Sequence, residues 1–152
     1  RSTEIDFNDN SIFLDGVNVD DLIREEAVNK NVSSVAAIPE VRRIMVDLQR
    51  KVSNNKNIVM DGRDVGTVIF PNAYRKFYIT ASVEERSVRR YKEMLLKGYE
   101  VDIKKIKEQI QNRDYIDSTR CDSPLKKASD AICLDTTGKG VDDVLNEVIS
   151  YI

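Results

Sequence analysis

Two stretches of this chain concentrate side chains that could do chemistry. Residues 58–71, "IVMDGRDVGTVIFP", run three apolar residues into Asp61-Gly62-Arg63-Asp64 and then return to apolar residues until Pro71. Farther along, Ile103, Ile106 and Ile110 mark the inward stripe of a helix, and the same rhythm continues as Arg113, Asp117 and Arg120. The stripe becomes charged without changing face. Two arginines on such a face can hold phosphate or carboxylate oxygens through forked hydrogen bonds, while the acid orients an arginine or accepts from a ligand. The plainer alternative is a helix that leaves the core and ends in i,i+4 ion pairs on a solvated surface. For the first stretch the plainer alternative is an Asp-Gly turn. That turn leaves Arg63-Asp64 unexplained at the carboxyl end of an expected strand over 58–60, where open parallel sheets bind ligands.

Other arginines present the same choice. Arg86, Arg89 and Arg90 accompany Glu84 and Glu85, so ordinary helix ion pairing competes with an anion site. Arg42 and Arg43 fall in the first turn after Pro39, where the helix dipole disfavours cations by a few tenths to ~1 kcal/mol. An anion shared with the helix N-terminus would explain them.

The elements that must position these groups are set by turn chemistry and periodicity. "EIDF", "SIFL" and "VNV" are short apolar or alternating runs separated by Asn8-Asp9-Asn10 and Asp15-Gly16, which predicts a small antiparallel meander. Residues 20–38 read as an interrupted helical region. Pro39 opens a helix with Val41, Ile44, Met45, Leu48 and Val52 at helical spacing, ending at "SNNKN". Strands are expected at Ile58–Met60, Lys76–Thr80 and Ala131–Leu134, with helices in the long connection between the last two, hence a mostly parallel sheet covered by helices. Ser82 and Glu85 form a capping-box pair that starts a helix with Val88, Tyr91 and Leu95 inward, stopping near Gly98. A second helix spans about 102–120, and a last one, about 141–151, presents Val141, Val144, Leu145 and Val148.

Composition narrows the function classes. The chain has 152 residues, 41% hydrophobic and 33% charged, which suits one ordinary globular domain with a sizeable core, of the α/β class by its order of strands and helices. No apolar run reaches the roughly 18–20 residues of a membrane span, and "RSTEIDFNDN" has no signal-peptide pattern, so a soluble, cytoplasmic protein without a membrane partner is expected. Cys121 and Cys133 lack metal-ligand spacing and there is no histidine, which argues against a zinc site. A net charge of −2 argues against general nucleic-acid binding, although arginines cluster at 86–90 and 113–120.

Three segments carry a family resemblance: "VSSVAAIPEVRRIMVDLQRK", "IVMDGRDVGTVIFPNAYRKFYITASVEERSVRRYKEMLLKG" and "RDYIDSTRCDSPLKKASDAICLDTT". Together they resemble the bacterial cytidylate kinases over roughly residues 11–152. The resemblance implies the P-loop nucleoside monophosphate kinase fold and transfer of the γ-phosphoryl group of ATP, with Mg2+, to CMP or dCMP by a monomer. It implies a CMP-binding region over 1–55 containing the meander, core strands over 56–82, a lid region with flanking helices over 83–122, and a C-terminal core strand and helix over 123–152. It assigns Ser33 and Arg42 to cytosine, Asp64 to the sugar or base side, Arg63 to the CMP phosphate, and Asp117 to the ribose. Arg113 and Arg120 match phosphate-holding arginines that steady the transferring group. Arg63, Arg113 and Arg120 are thus the catalytic candidates. Arg86 and Arg90 match lid arginines over ATP, and Asp61 an acid that supports the magnesium hydration shell without ligating the ion directly.

Such a site agrees with the physics of phosphoryl transfer, in which several cations from separate segments stabilise charge on the transferring oxygens. One family feature is missing from these residues. None of the six glycines, at 16, 62, 66, 98, 138 and 140, belongs to a G-x-x-x-x-G-K-[ST] phosphate-binding loop. The expectation is a C-terminal portion of a longer kinase, without its first, central strand and loop helix, that is a very poor kinase by itself. Two alternatives remain open here: a truncated CMP-binding or regulatory module, and a structural or interaction domain whose Asp61–Asp64 and Arg113–Arg120 side chains point apart into solvent.

Overall fold

Asp15 and Gly16 both adopt positive φ, 50° and 81°, the backbone that a two-residue hairpin turn matched to strand twist requires. They join β2 (Ser11–Leu14) to β3 (Val17–Asn18), with Leu14 opposite Val17. β1 (Ile5–Asn8) pairs antiparallel with β2, Ile5 opposite Leu14, which completes the expected meander. The computed structural model describes residues 3–8 and 11–152, so the Asp9-Asn10 part of the first expected turn lies outside the described residues. Asp20 braces the meander from just beyond β3: its carboxylate accepts from the Ile12 backbone N–H at 2.9 Å, which holds its pKa below the usual carboxylate value.

Two compact units divide the chain, Arg1–Asp61 and Gly62–Ile152. In the first, the meander is followed by a 3₁₀ turn at Leu22–Arg24, then α1 (Glu26–Ala36) and α2 (Pro39–Val52), which matches the interrupted helical pattern. Pro39 occupies the first turn of α2, where its missing N–H costs nothing. The buried face of α2 is rotated from the expected one. Val46 is buried and Ile44 exposed, while Val41, Met45, Leu48 and Val52 are half-buried. Residues 58–60 form no strand, which corrects the sequence expectation. A strand exists through its ladder, these backbone groups find no ladder partner among the described residues, and Val59 is fully exposed.

The second unit opens on one turn of π-helix, Val65–Ile69, closed by the Phe70 N–H on the Val65 carbonyl at 2.7 Å. β4 (Phe77–Thr80) and β5 (Ile132–Asp135) are parallel neighbours, Phe77 opposite Ile132 and Thr80 opposite Asp135. The crossover between them contains α3 (Val83–Leu96) and α4 (Ile103–Thr119), which pack on each other, and α5 (Val141–Ile149) follows β5. Ile69, Ala81, Ile106 and Leu134 are the buried apolar side chains of this unit.

The starts of α3 and α4 are capped as their sequences demand. Ser82 accepts from the Glu85 N–H at 3.1 Å and Asp102 from the Lys104 N–H at 2.8 Å. The expected apolar stripe of α3 is only partly its buried face: Tyr91 is half-buried, but Val88 and Leu95 are exposed and Ser87 is buried instead. Ser87 can be buried because its hydroxyl donates to the Val83 carbonyl one turn back, at 2.6 Å. In α5, Val141 and Leu145 are likewise exposed while Val144 and Val148 are half-buried. Among the described residues no helix is long and apolar enough to cross a membrane.

Candidate active site

The residues Asp61-Gly62-Arg63-Asp64 form a turn into the π-helical turn rather than a strand end. The Asp64 carbonyl accepts from the Val68 N–H at 2.8 Å and, at 3.3 Å, from the N–H groups of Thr67 and Ile69. This wide turn points the Asp64 side chain inward, where only 3% of it is exposed. π-Helical turns recur at functional sites because they re-aim a few side chains without breaking the surrounding structure. Gly62 makes the approach possible: a Cβ there would come within 2.8 Å of Val65 Cγ2. No side chain larger than hydrogen fits without a shift.

The end of α4 supplies the other half. Asp117 is buried, its side chain 3% exposed, and it faces three guanidinium groups. Its Oδ2 lies 3.1 Å from Arg63 Nε and 3.7 Å from Arg113 Nε, and its Oδ1 lies 3.8 Å from Arg120 Nη1. Arg120 Nη2 in turn lies 4.0 Å from Asp64 Oδ1. Three cations therefore meet two carboxylates, and these five side chains together carry one positive charge in excess. The cluster is also under-bonded. Asp117 Oδ2 and Arg120 Nη2 are both buried without a hydrogen-bond partner, a costly condition unless another group completes it.

Burial grades the three arginines. The Arg120 side chain is 5% exposed, Arg63 is 36% exposed and Arg113 is 46% exposed. Arg120 is built in, and the other two reach solvent. An anion arriving from solvent would meet Arg63 and Arg113 first, with Arg120 and the acids behind them. The arrangement can bind an oxyanion and neutralise charge developing on it. The alternative reading of Arg63, Asp64, Arg113 and Arg120 as side chains pointing apart does not describe this structure.

The α3 arginines have a different environment. Arg86 Nη1 pairs with Asp114 Oδ2 at 2.7 Å and its Nε donates to the Ala81 carbonyl at 3.0 Å. Arg90 pairs with Glu93 at 2.8 Å. Arg89, paired with Glu85 at 2.9 Å, also reaches Thr136, donating to its hydroxyl at 3.1 Å and to its carbonyl at 2.6 Å. Arg89 thus fastens α3 to the carboxyl end of β5. Sequence periodicity missed this tie, as it missed Asp114, because both partners are distant in the chain.

Ser33 on α1 and Arg42 on α2 are half-buried, and Asp61 is exposed; all three belong to the first unit. Arg43 pairs with Glu40 at 3.2 Å on an exposed surface, so an ordinary ion pair accounts for it. Among the described residues no group of three or more His, Cys, Asp or Glu side chains could hold a metal ion.

Comparison with known proteins identifies relatives of the chain. The model of the cytidylate kinase family matches residues 1–152. The cytidylate kinase of Alkaliphilus oremlandii is 48% identical over 152 residues, all of this chain and 70% of that protein. That of Fusobacterium nucleatum is 49% identical over the same 152 residues, again 70% of its length. The Clostridioides difficile protein of that name is 47% identical with the same coverage. Similarity extending over the whole of this chain places it in the cytidylate kinase family.

Proposed function

We propose that this chain carries the monophosphate side of a cytidylate kinase site, which moves the γ-phosphoryl group of ATP to CMP or dCMP and yields ADP with CDP or dCDP. The observation that carries this reading is the excess positive charge of Arg63, Arg113 and Arg120 around Asp64 and Asp117, together with the buried Arg120 Nη2 that lacks a hydrogen bond. A phosphate monoester supplies the acceptor that Arg120 Nη2 lacks and the missing negative charge at once. In the reaction, Arg63 and Arg113 hold the acceptor phosphate and Arg120 steadies the transferring group, so catalysis is positioning and electrostatic stabilisation. By resemblance Asp117 contacts the ribose and Asp64 the sugar or base side, while both carboxylates draw the arginines together.

Ser33 and Arg42 carry the cytosine-reading part of the proposal by resemblance, and so do Arg86 and Arg90 for ATP. Arg86 and Arg90 are each engaged with a carboxylate, so meeting ATP requires them to exchange partners. Mg2+ belongs to the proposal as the ion that arrives with ATP and shields its phosphates. By resemblance, the chain's part is Asp61 facing its hydration shell rather than ligating the ion. A further central strand beside β4, with the phosphate-binding loop, belongs to the same proposal; β4 pairs only with β5 among the described residues.

Calorimetric titration of the chain with CMP, with AMP as the control, tests the reading. Saturable CMP binding of one ligand per chain, with AMP at least about tenfold weaker because unmet base edges cost affinity, is the expected result. Equal affinity for the two nucleotides, or none for CMP, contradicts it.

A further inference from the structure

Arg120 is the most buried of the three arginines, yet a carbonyl holds it more closely than any carboxylate. Its Nε donates to the Ser123 backbone oxygen at 2.8 Å, while Nη1 and Nη2 stand 3.8 and 4.0 Å from Asp117 and Asp64. At the longer separations the acids supply attraction without fixing direction, whereas a short hydrogen bond fixes the plane of the guanidinium. We infer that Ser123 is a positioning residue for this site: its carbonyl anchors Arg120 by Nε and leaves the Nη2 edge for the anionic ligand. The inference rests on the reading of the cluster as a CMP site.

The local backbone is built around that contact. Ser123 is buried and has φ of +51°, a left-handed conformation that residues other than glycine adopt infrequently. Its hydroxyl donates to Asp122 Oδ1 at 2.9 Å. Pro124 has no N–H to offer, and the next donor, the Leu125 N–H, returns to the Asp117 carbonyl at 2.7 Å. Residues 121–124 are therefore pinned twice to the end of α4, once through the side chain of Arg120 and once through the backbone of Asp117. The backbone tie satisfies one of the last carbonyls of α4, as a helix end requires, whereas stopping the helix does not require the tie to the Arg120 side chain.

The test combines a measurement on the unaltered chain with a variant cycle. The 15Nε–H signal of Arg120, assigned through its loss in Arg120→Lys, is expected to exchange with water at least about tenfold more slowly than that of exposed Arg43, because it is buried and hydrogen-bonded. Ser123→Val, strained in the left-handed region, should bring that exchange to the exposed rate and weaken CMP about tenfold or more, whereas Ser123→Gly should keep both within about twofold. In an Arg120→Ala background Ser123→Val should change CMP affinity no further, since one residue acts through the other. Fast exchange in the unaltered chain overturns the inference even if the valine variant does not fold. Equal weakening of CMP by Ser123→Val with and without Arg120 overturns it as well. A protected Nε–H that Ser123→Val releases, in a chain that does not bind CMP, supports the anchoring of Arg120 and sinks the CMP reading alone.

Discussion

Arginines on α3 and arginines around the end of α4 are the same residue type in one unit of the molecule, and they are held in opposite ways. On α3, Arg86, Arg89 and Arg90 each have a carboxylate partner at 2.7–2.9 Å, and Arg86 and Arg89 add backbone carbonyls. Around Asp117 the nearest cation–carboxylate separation is 3.1 Å, the others run to 4.0 Å, and two buried polar atoms have no hydrogen bond, although Arg120 also meets a backbone carbonyl, that of Ser123. Saturated arginines fasten elements together, whereas the buried Arg120 keeps an unbonded Nη2, the donor that the proposed ligand would meet. The number of arginines in a segment does not separate these cases; the state of their hydrogen bonds does.

The largest test of that contrast removes its centre. Asp117→Ala leaves the buried Arg120 with one carboxylate instead of two, and an uncompensated buried charge costs about 3 kcal/mol or more. A urea melt should show that loss, with much of it recovered when CMP is saturating, because the ligand replaces the missing negative charge. Next comes the frame: Gly62→Ala forces a Cβ to within 2.8 Å of Val65 Cγ2, and overpacking of this kind costs about 1–2 kcal/mol. CMP affinity should fall along with the melting temperature.

On the saturated side, Arg86→Ala breaks a half-exposed pair, so solvent screening limits its loss to about 1 kcal/mol or less, and CMP affinity should stay unchanged. The smallest effect concerns Asp130, which pairs with Lys76 at 2.7 Å; that hydrogen bond holds the Asp130 pKa below its ordinary value. A lowered folded-state pKa gives stability that is present above the unfolded value of about 4 and fades as pH falls through the folded one. The melting-temperature gap between the unaltered chain and Asp130→Asn should therefore be widest near neutrality and close below pH of about 4. A gap that stays constant into acid would place the effect elsewhere.

Much of the scaffold was legible because local chemistry decides it. Asp15-Gly16 specifies its hairpin, Pro39 and Ser82 mark helix starts, and the long crossover between 76–80 and 131–134 makes those strands parallel. The expectations that failed needed knowledge of neighbours. Ile58–Met60 has strand-like composition, but pairing depends on another strand. Val88 and Leu95 keep helical spacing, yet Ser87 is buried because its hydroxyl is satisfied within its own helix. In the site, the rhythm from Ile103 to Arg120 located Arg113, Asp117 and Arg120 on one face. It could not show that Asp117 would face three arginines, or that Ser123 would turn left-handed to meet Arg120, since backbone sign and long-range ion pairing have no period.

The most direct measurement is CMP affinity by calorimetry for the unaltered chain, Arg113→Ala and Arg90→Ala. Both side chains are nearly half exposed, 46% and 42%, so neither change should disturb folding, and net charge changes equally in the two. A loss of about tenfold to 100-fold in Arg113→Ala, the worth of one charge-assisted contact, with Arg90→Ala within about twofold of the unaltered chain, is the result predicted. Equal losses in both variants, or none in Arg113→Ala, would contradict the claim that the under-bonded cluster is where the phosphate binds.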